Sequence, residues 1–217
     1  MAVQIYEYPV VGSSLRLRVA HGHFATSHSH INYYIDLTMT KHRLSEAREA
    51  AKELCSAFSA STVIDTILCL DGTEVVGACM ASELTHAGFH NMNAHRTIYV
   101  VTPEHTSGSQ LIFRDNTAPM VVGKHVLILA DSVTTGYTAQ AAVEAVRYYS
   151  GIPVGIAAIF ASTDECAGFP VQSIFSHKNI MQDYASYPSH ACPMCQTGSR
   201  LDAMVNSHGI SSFSSQR

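Results

Sequence analysis

The chain has 217 residues, of which 47% are hydrophobic and 14% are charged, and its formal net charge is −4. This composition predicts one globular domain with a full apolar core. Lysine and arginine form no cluster, which argues against a surface for nucleic acid or an acidic membrane. Because the apolar runs are short and the start MAVQIYEYPVV lacks a secretion-signal pattern, we expect a cytoplasmic protein without a transmembrane helix.

The first 40 residues combine strand-like alternation with an unusual number of histidines. Residues 1–20 alternate loosely and predict one or two strands. Alternate residues of a strand share a face, so a metal site is one interpretation of the four histidines in the next segment, His21, His23, His28 and His30. No cysteine or carboxylate lies close by in sequence to complete such a site, and the metal interpretation is therefore the less favoured one.

Strand and helix patterns alternate after this segment. Residues 43–59 have the apolar spacing of an amphipathic helix. A buried strand is predicted over 62–70, and the turn Asp71-Gly72-Thr73 then opens into a second helix. A further strand is predicted over 97–101, followed by the polar loop TPEHTSGSQ.

The stretch HVLILADSVTTGYT, residues 125–138, carries the strongest functional signal. Its apolar run 126–130 is typical of a strand buried on both faces of a parallel sheet. After Asp131 the chain becomes rich in small polar residues, and helical spacing follows over 138–149. The N-terminus of a helix after such a loop binds anions, so residues 134–138 predict a phosphate site. The alternative is an ordinary strand-to-helix turn.

Two more buried strands, over 154–160 and 171–175, complete the pattern. Repeated strand-loop-helix units predict an α/β fold with a doubly wound, mostly parallel sheet of about five strands. A ligand would bind at the carboxyl ends of these strands.

The segment LADSVTTGYT resembles the signature of the type I phosphoribosyltransferases, a strand followed by two acidic residues and a TTGGT-like loop. Asp131 matches the second acidic position, and Ala130 stands at the first. The resemblance implies that the substrate is phosphoribosyl pyrophosphate (PRPP), that Mg2+ accompanies its diphosphate, and that Asp131 is catalytic. The residues that it implies for PRPP binding are Asp71, Gly72, Thr73, Asp131, Ser132, Thr134, Thr135, Gly136, Tyr137 and Thr138.

Within that family the chain is most similar to the orotate phosphoribosyltransferases. The N-terminal segment 21–38 resembles their base-binding run, and CPMCQTGSRLD is similar to the ending of some members. The resemblance implies a homodimer, an orotate-like pyrimidine as the base, and a small hood formed by about residues 1–40 and 176–217. It implies base contacts by Phe24, Tyr34 and Ile35.

Several cationic positions of that family are changed here. Val101 and Thr102 stand where the catalytic lid of the family begins with Arg-Lys. The remaining candidates for functional lid residues are His105 and Gly108, and the resemblance implies a catalytic role for His105. Ser162 lies in the segment where the family has Asp-Arg. Because lid cations stabilise the leaving pyrophosphate, their loss predicts weak handling of orotate. The alternative function is a PRPP or nucleotide sensor without turnover.

The cysteines Cys192 and Cys195 have the CxxC spacing that allows both thiolates to bind one Zn2+. Two further ligands are needed, and the candidates are His190, His208, Cys166 or a second pair from a dimer partner. A reduced or redox-active pair is the alternative, and a structural or redox module is accordingly a third functional interpretation.

Overall fold

The computed structural model describes residues 4–10, 12–58, 62–86, 92–94, 96–106, 110–181 and 183–213. Gly108, a candidate lid residue, lies outside the described residues. The chain divides into two compact units, one formed by Met1–Met39 with His177–Arg217 and the other by Thr40–Ser176.

The regular elements of the described residues follow one another in chain order. They are β1 (Ile5–Pro9), β2 (Arg16–Ala25), β3 (Ser29–Asp36), α1 (Thr38–His42), α2 (Leu44–Cys55), β4 (Thr66–Cys69), α3 (Glu74–Thr85), β5 (Tyr99–Val101), β6 (Glu104–His105), β7 (Leu111–Ile112), β8 (His125–Val133), α4 (Tyr137–Tyr148), β9 (Ile152–Ala161), β10 (Glu165–Cys166), β11 (Phe169–Ser176), α5 (His177–Ile180), β12 (Ser186–Pro188), α6 (Pro193–Gln196), β13 (Ala203–Asn206) and β14 (Gly209–Ser212). Short 3-10 helices cover Ala118–Met120 and Ser189–Ala191.

The unit Thr40–Ser176 is built on a six-stranded sheet in the order β10-β11-β9-β8-β4-β5. All neighbours are parallel except the two-residue edge strand β10, which runs antiparallel to β11. The predicted doubly wound sheet with about five parallel strands is therefore confirmed. The separate β6-β7 hairpin follows β5, and its strand β6 lies in the polar segment predicted as a loop.

Side-chain alternation along β8 explains why helices cover both faces of this sheet. Val126, Ile128 and Ala130 belong to one core cluster with the buried face of α4. Because successive side chains point to opposite faces, Leu127 lies on the other side, where its side chain and that of Phe58, just after α2, both lie close to Gly155. This places α4 on one face and α2 on the opposite face.

The β4 strand is shorter than the predicted span of 62–70, because a side chain takes the place of a neighbouring strand at its start. Asn93 accepts a hydrogen bond from the Ile64 backbone N–H at 2.8 Å and donates one to the Thr62 carbonyl oxygen at 2.8 Å. Regular pairing begins only at Thr66. The longest described helices have 12 residues, and no helix in the described ranges is long and apolar enough to cross a membrane.

The unit formed by Met1–Met39 and His177–Arg217 contains a second six-stranded sheet. Its order is β12-β3-β2-β13-β14, and β1 pairs with the first half of β2. β2 and β3 form an antiparallel hairpin with a register shift between His21 and Phe24. The C-terminal strand β13 pairs parallel with the end of β2, so the two ends of the chain share one sheet.

Candidate functional site

The carboxyl ends of two neighbouring parallel strands bring polar groups from distant parts of the sequence together. β4 and β8 pair from Thr66 to Cys69 and from Val126 to Leu129. Asp71 follows the first strand, and Asp131 lies near the end of the second. This edge of a doubly wound sheet is where ligands bind in such folds.

A buried lysine links these two strand ends. Lys41 donates hydrogen bonds from Nζ to the Asp71 carbonyl oxygen at 2.8 Å and to Asp131 Oδ2 at 2.8 Å. The side chains of Lys41 and Asp131 are only 3% and 7% exposed. Lys41 was missed by the sequence analysis, because nothing in the helix around it indicates a partner 90 residues away. The carboxylate predicted to face the ribose is therefore held by a charge inside the protein.

Burial and pairing act on Asp131 in opposite directions. Burial raises the pKa of this carboxyl group, whereas the Lys41 ammonium and the hydrogen bond from Ser132 Oγ to Oδ1 at 3.1 Å favour the ionised form. Burial is the larger effect, so the pKa of Asp131 lies above the usual value of a carboxyl group.

The predicted phosphate loop connects β8 to α4 through a left-handed residue. Gly136 has φ +79° and directly precedes the first residue of the helix. A Cβ atom at this position would lie 2.9 Å from Cys166 Sγ, so the loop has no room for a side chain there. The first backbone N–H groups of a helix lack partners within the helix and attract anions, and the phosphate site at this point stays a prediction.

Residues after β9 hold the loop from the side. Ser162 donates from Oγ to the Thr134 carbonyl oxygen at 3.1 Å and from its backbone N–H to the Val133 carbonyl oxygen at 2.9 Å. Cys166 Sγ lies 3.4 Å from the Gly136 carbonyl oxygen. Ser162 thus stabilises the phosphate loop. Of the other predicted loop residues, Thr134 is half-buried, and Thr135, Tyr137 and Thr138 are exposed.

The turn after β4 has two residues in the left-handed region, Asp71 with φ +55° and Gly72 with φ +79°. Thr73 is fully buried and donates from Oγ1 to the Leu70 carbonyl oxygen at 2.8 Å, with the Leu129 carbonyl oxygen at 3.2 Å. Its hydroxyl therefore ties the turn after β4 to β8, whereas Asp71 and Gly72 are half-exposed. The described residues contain no cis peptide bond.

The predicted base-binding residues lie in the unit formed by Met1–Met39 and His177–Arg217. Phe24 and Tyr34 belong to its apolar core, where their rings meet edge to face with centroids 6.1 Å apart. Phe24 and Tyr34 thus pack inward, and their contact with a base stays a prediction. Ile35 is half-exposed and is the member of the set that a base could contact.

The lid candidate His105 is exposed on the β6-β7 hairpin. Next to it, Glu104 forms a bidentate ion pair with Arg114, with atoms 2.6 and 2.5 Å apart. This pair lowers the pKa of the Glu104 carboxyl group through its hydrogen bonds. Arg114 is therefore a cation of the hairpin that the sequence analysis did not assign to a site.

The three partners predicted for the CxxC pair from this chain are wrong, and a second pair from a dimer partner stays a prediction. Cys192 and Cys195 lie beside His23 and His30, whereas Cys166 contacts Gly136 in the loop after β8. His190 and His208 are exposed and are not part of this cluster. The N-terminal histidines and the C-terminal cysteines, which the sequence analysis considered separately, form one group.

No protein-family model matches the sequence. The structure is similar to a phosphoribosyltransferase from Corynebacterium diphtheriae, with a TM-score of 0.52 and 23% identity over 75% of this chain and 90% of that chain. It is also similar to orotate phosphoribosyltransferase from Mycobacterium tuberculosis H37Rv in complex with Fe(III) dicitrate, with a TM-score of 0.53 and 20% identity over 76% and 93% of the two chains. The same enzyme in complex with PRPP gives a TM-score of 0.50 and 20% identity over 68% and 82%.

An adenine phosphoribosyltransferase from Thermoanaerobacter pseudethanolicus is similar as well, with a TM-score of 0.50 and 17% identity over 79% and 95% of the two chains. Enzymes named for a pyrimidine and for a purine thus share this architecture. The fold of the chain is the type I phosphoribosyltransferase fold.

Proposed function

We propose that the protein binds PRPP and transfers its phosphoribosyl group to a nucleobase, with release of pyrophosphate. The observation that carries this proposal is the loop after Asp131, where left-handed Gly136 opens α4 at the carboxyl end of a central parallel strand. A phosphate bound there would accept hydrogen bonds from backbone N–H groups of residues 134–138. The M. tuberculosis enzyme of the same fold was solved with PRPP, which supports this choice of ligand.

Asp131 is the residue proposed to meet the ribose. Its Oδ2 is occupied by Lys41, so Oδ1 would exchange the hydrogen bond from Ser132 for one from a ribose hydroxyl group. As the bond from the anomeric carbon to pyrophosphate breaks, the sugar gains positive charge, which the carboxylate stabilises. Lys41 positions Asp131, and its ammonium group favours the ionised form of the carboxyl group.

Mg2+ fits this site as part of the PRPP complex. The ion keeps several waters and is usually held by substrate phosphates with one or two carboxylates, and when bound it neutralises the diphosphate. The half-exposed Asp71 at the neighbouring strand end is the carboxylate proposed to meet metal-bound water.

A base without a charged carboxylate is the proposed acceptor. The resemblance favours an orotate-like pyrimidine, yet the family's lid and post-β9 cations are replaced by Val101, Thr102 and Ser162. Ser162 instead holds the phosphate loop. An uncharged pyrimidine therefore ranks ahead of orotate.

We accordingly expect orotate to be turned over far more slowly than the order of 10 per second that is typical of enzymes. The measurement is steady-state release of pyrophosphate from PRPP with Mg2+ and orotate, with uracil, adenine and other bases in parallel. Rapid turnover of orotate would contradict the expectation and would mean that other cations, such as Arg114, neutralise its charge.

The second candidate is a PRPP or nucleotide sensor without turnover. It is favoured by Ala130 at the first acidic position and by Val101 and Thr102 in place of the lid Arg-Lys. The same assay separates the two functions, because a sensor would bind PRPP without releasing pyrophosphate with any base.

The cytoplasmic location and the homodimer stay predictions, and light scattering on the purified protein would test the dimer.

A further inference from the structure

Four potential metal ligands converge in the unit formed by Met1–Met39 and His177–Arg217. They are His23, His30, Cys192 and Cys195, and one ligand atom of each lies within 4.8 Å of the other three. Two come from the β2-β3 hairpin, and two come from the start of α6, more than 160 residues away in sequence. We propose that this cluster is a structural Zn2+ site that ties the C-terminal segment to the hairpin.

The distances match a tetrahedron around one zinc ion. His23 Nε2 lies 3.2 Å from His30 Nδ1, 3.5 Å from Cys192 Sγ and 3.6 Å from Cys195 Sγ, and His30 Nδ1 lies 3.3 Å from Cys195 Sγ. Zinc bonds of about 2.0 Å to nitrogen and about 2.3 Å to sulfur give tetrahedral edges of about 3.3 Å between nitrogens and about 3.6 Å between nitrogen and sulfur. A set of two cysteines and two histidines is typical of structural zinc.

Hydrogen bonding alone explains this cluster poorly. His23 Nδ1 lies 3.1 Å from the Ser199 carbonyl oxygen, to which it donates if it carries the proton. Nε2 would then have one lone pair, yet three groups surround it at 3.2 to 3.6 Å. A metal ion bonds all four ligands at once, and a histidine ligand is commonly fixed by such a carbonyl contact on its other nitrogen.

The fold holds His23 in place independently of the metal. It lies where the register between β2 and β3 shifts, and such an irregularity changes the direction in which a side chain points. Asp202 Oδ2 accepts a hydrogen bond from the His23 backbone N–H at 2.8 Å, and the Asp202 N–H donates to the His23 carbonyl oxygen at 2.8 Å. His23 is 3% exposed and Cys192 is 1% exposed, so half of the set is buried before any ion binds.

On the C-terminal side, one helical turn brings the two cysteines to the same face. Cys192 precedes α6, Cys195 lies within it, and the Gln196 N–H donates to the Cys192 carbonyl oxygen at 3.1 Å. Both thiols are free of disulfide bonds. Zinc binding would release their two protons, and the binding free energy would add to folding of this unit.

The test uses the full chain, purified without a histidine tag or added metal and analysed for metal content. We expect one zinc per chain, thiols at 192 and 195 that resist Ellman reagent until a chelator is added, and reloading by one equivalent of Zn2+. Co2+ in place of zinc should give the visible bands of a tetrahedral thiolate site, a readout that requires no variant.

Two variants and two matched controls locate the ion. Cys195→Ser and His30→Asn should each weaken zinc binding by more than the roughly 10- to 100-fold that loss of an outer-shell partner costs. Cys79→Ser, at a half-buried cysteine, and His28→Asn, at an exposed histidine of the same hairpin, should leave the zinc content unchanged. Zinc well below one per chain after reloading, with both thiols reactive, would overturn the proposal. Unchanged zinc in both cluster variants would also overturn it.

Discussion

Lys41→Met should lower the free energy of unfolding by about 3–5 kcal/mol, because it leaves the Asp131 carboxylate buried without its partner. The pair is almost fully enclosed, and its Nζ to Oδ2 distance is 2.8 Å. The same variant also removes the hydrogen bond to the Asp71 carbonyl oxygen that joins the ends of β4 and β8. Urea denaturation of the wild type and the variant measures the loss.

Two further variants separate the buried pair from a general effect of losing a lysine. Lys52→Met removes an exposed lysine that faces Glu49 at 3.6 Å, and it should change stability by no more than about 0.5 kcal/mol. The double variant Lys41→Met with Asp131→Leu replaces the pair by apolar groups and should regain most of the stability. It should nevertheless fail to bind PRPP. Equal losses in Lys41→Met and Lys52→Met would show that the ion pair does not stabilise the fold.

Gly136→Ala should weaken PRPP binding by more than tenfold. The left-handed conformation costs a non-glycine residue about 1–3 kcal/mol, and the new Cβ would also meet Cys166 Sγ at 2.9 Å. The loop must move to relieve this contact, and its N–H groups then lose their alignment on the phosphate. The expected readout is a much smaller rise of the melting temperature when PRPP is added.

Gly123→Ala is the matched control for this variant. Gly123 also has a positive φ, +67°, but a Cβ there meets nothing within 4 Å, and the residue precedes β8 at the opposite end of the strand. It should lose some stability and keep PRPP binding. Adding Cys166→Ala to Gly136→Ala removes the sulfur atom and should restore part of the affinity. A Gly136→Ala protein that responds to PRPP like the Gly123→Ala protein would refute the cradle assignment.

The sheet and the loop that follows β8 were predictable because their signals are local. The apolar run before Asp131 and the small polar residues after it lie in one continuous window, and they became β8, the loop and α4 as expected. The amphipathic pattern over 43–59 likewise became α2. Such periodicities report on the immediate neighbourhood of a residue along the chain.

The features that were not predicted depend on contacts between residues distant in sequence. Lys41 lies 90 residues from Asp131, and His23 lies 169 residues from Cys192. The order of polar and aromatic residues also could not show that Phe24 and Tyr34 face inward, because their orientation is set by the pairing of β2 with β3 and β13. Topology alone brings these groups together.

Calorimetric titration of the wild-type protein with PRPP in the presence of Mg2+ tests the central claim most directly. We predict saturable binding of one PRPP per chain, reduced by competition with ribose 5-phosphate, because both ligands carry the 5-phosphate that the loop of residues 134–138 would hold. The absence of binding to the folded wild-type protein, or PRPP binding that ribose 5-phosphate does not affect, would contradict it.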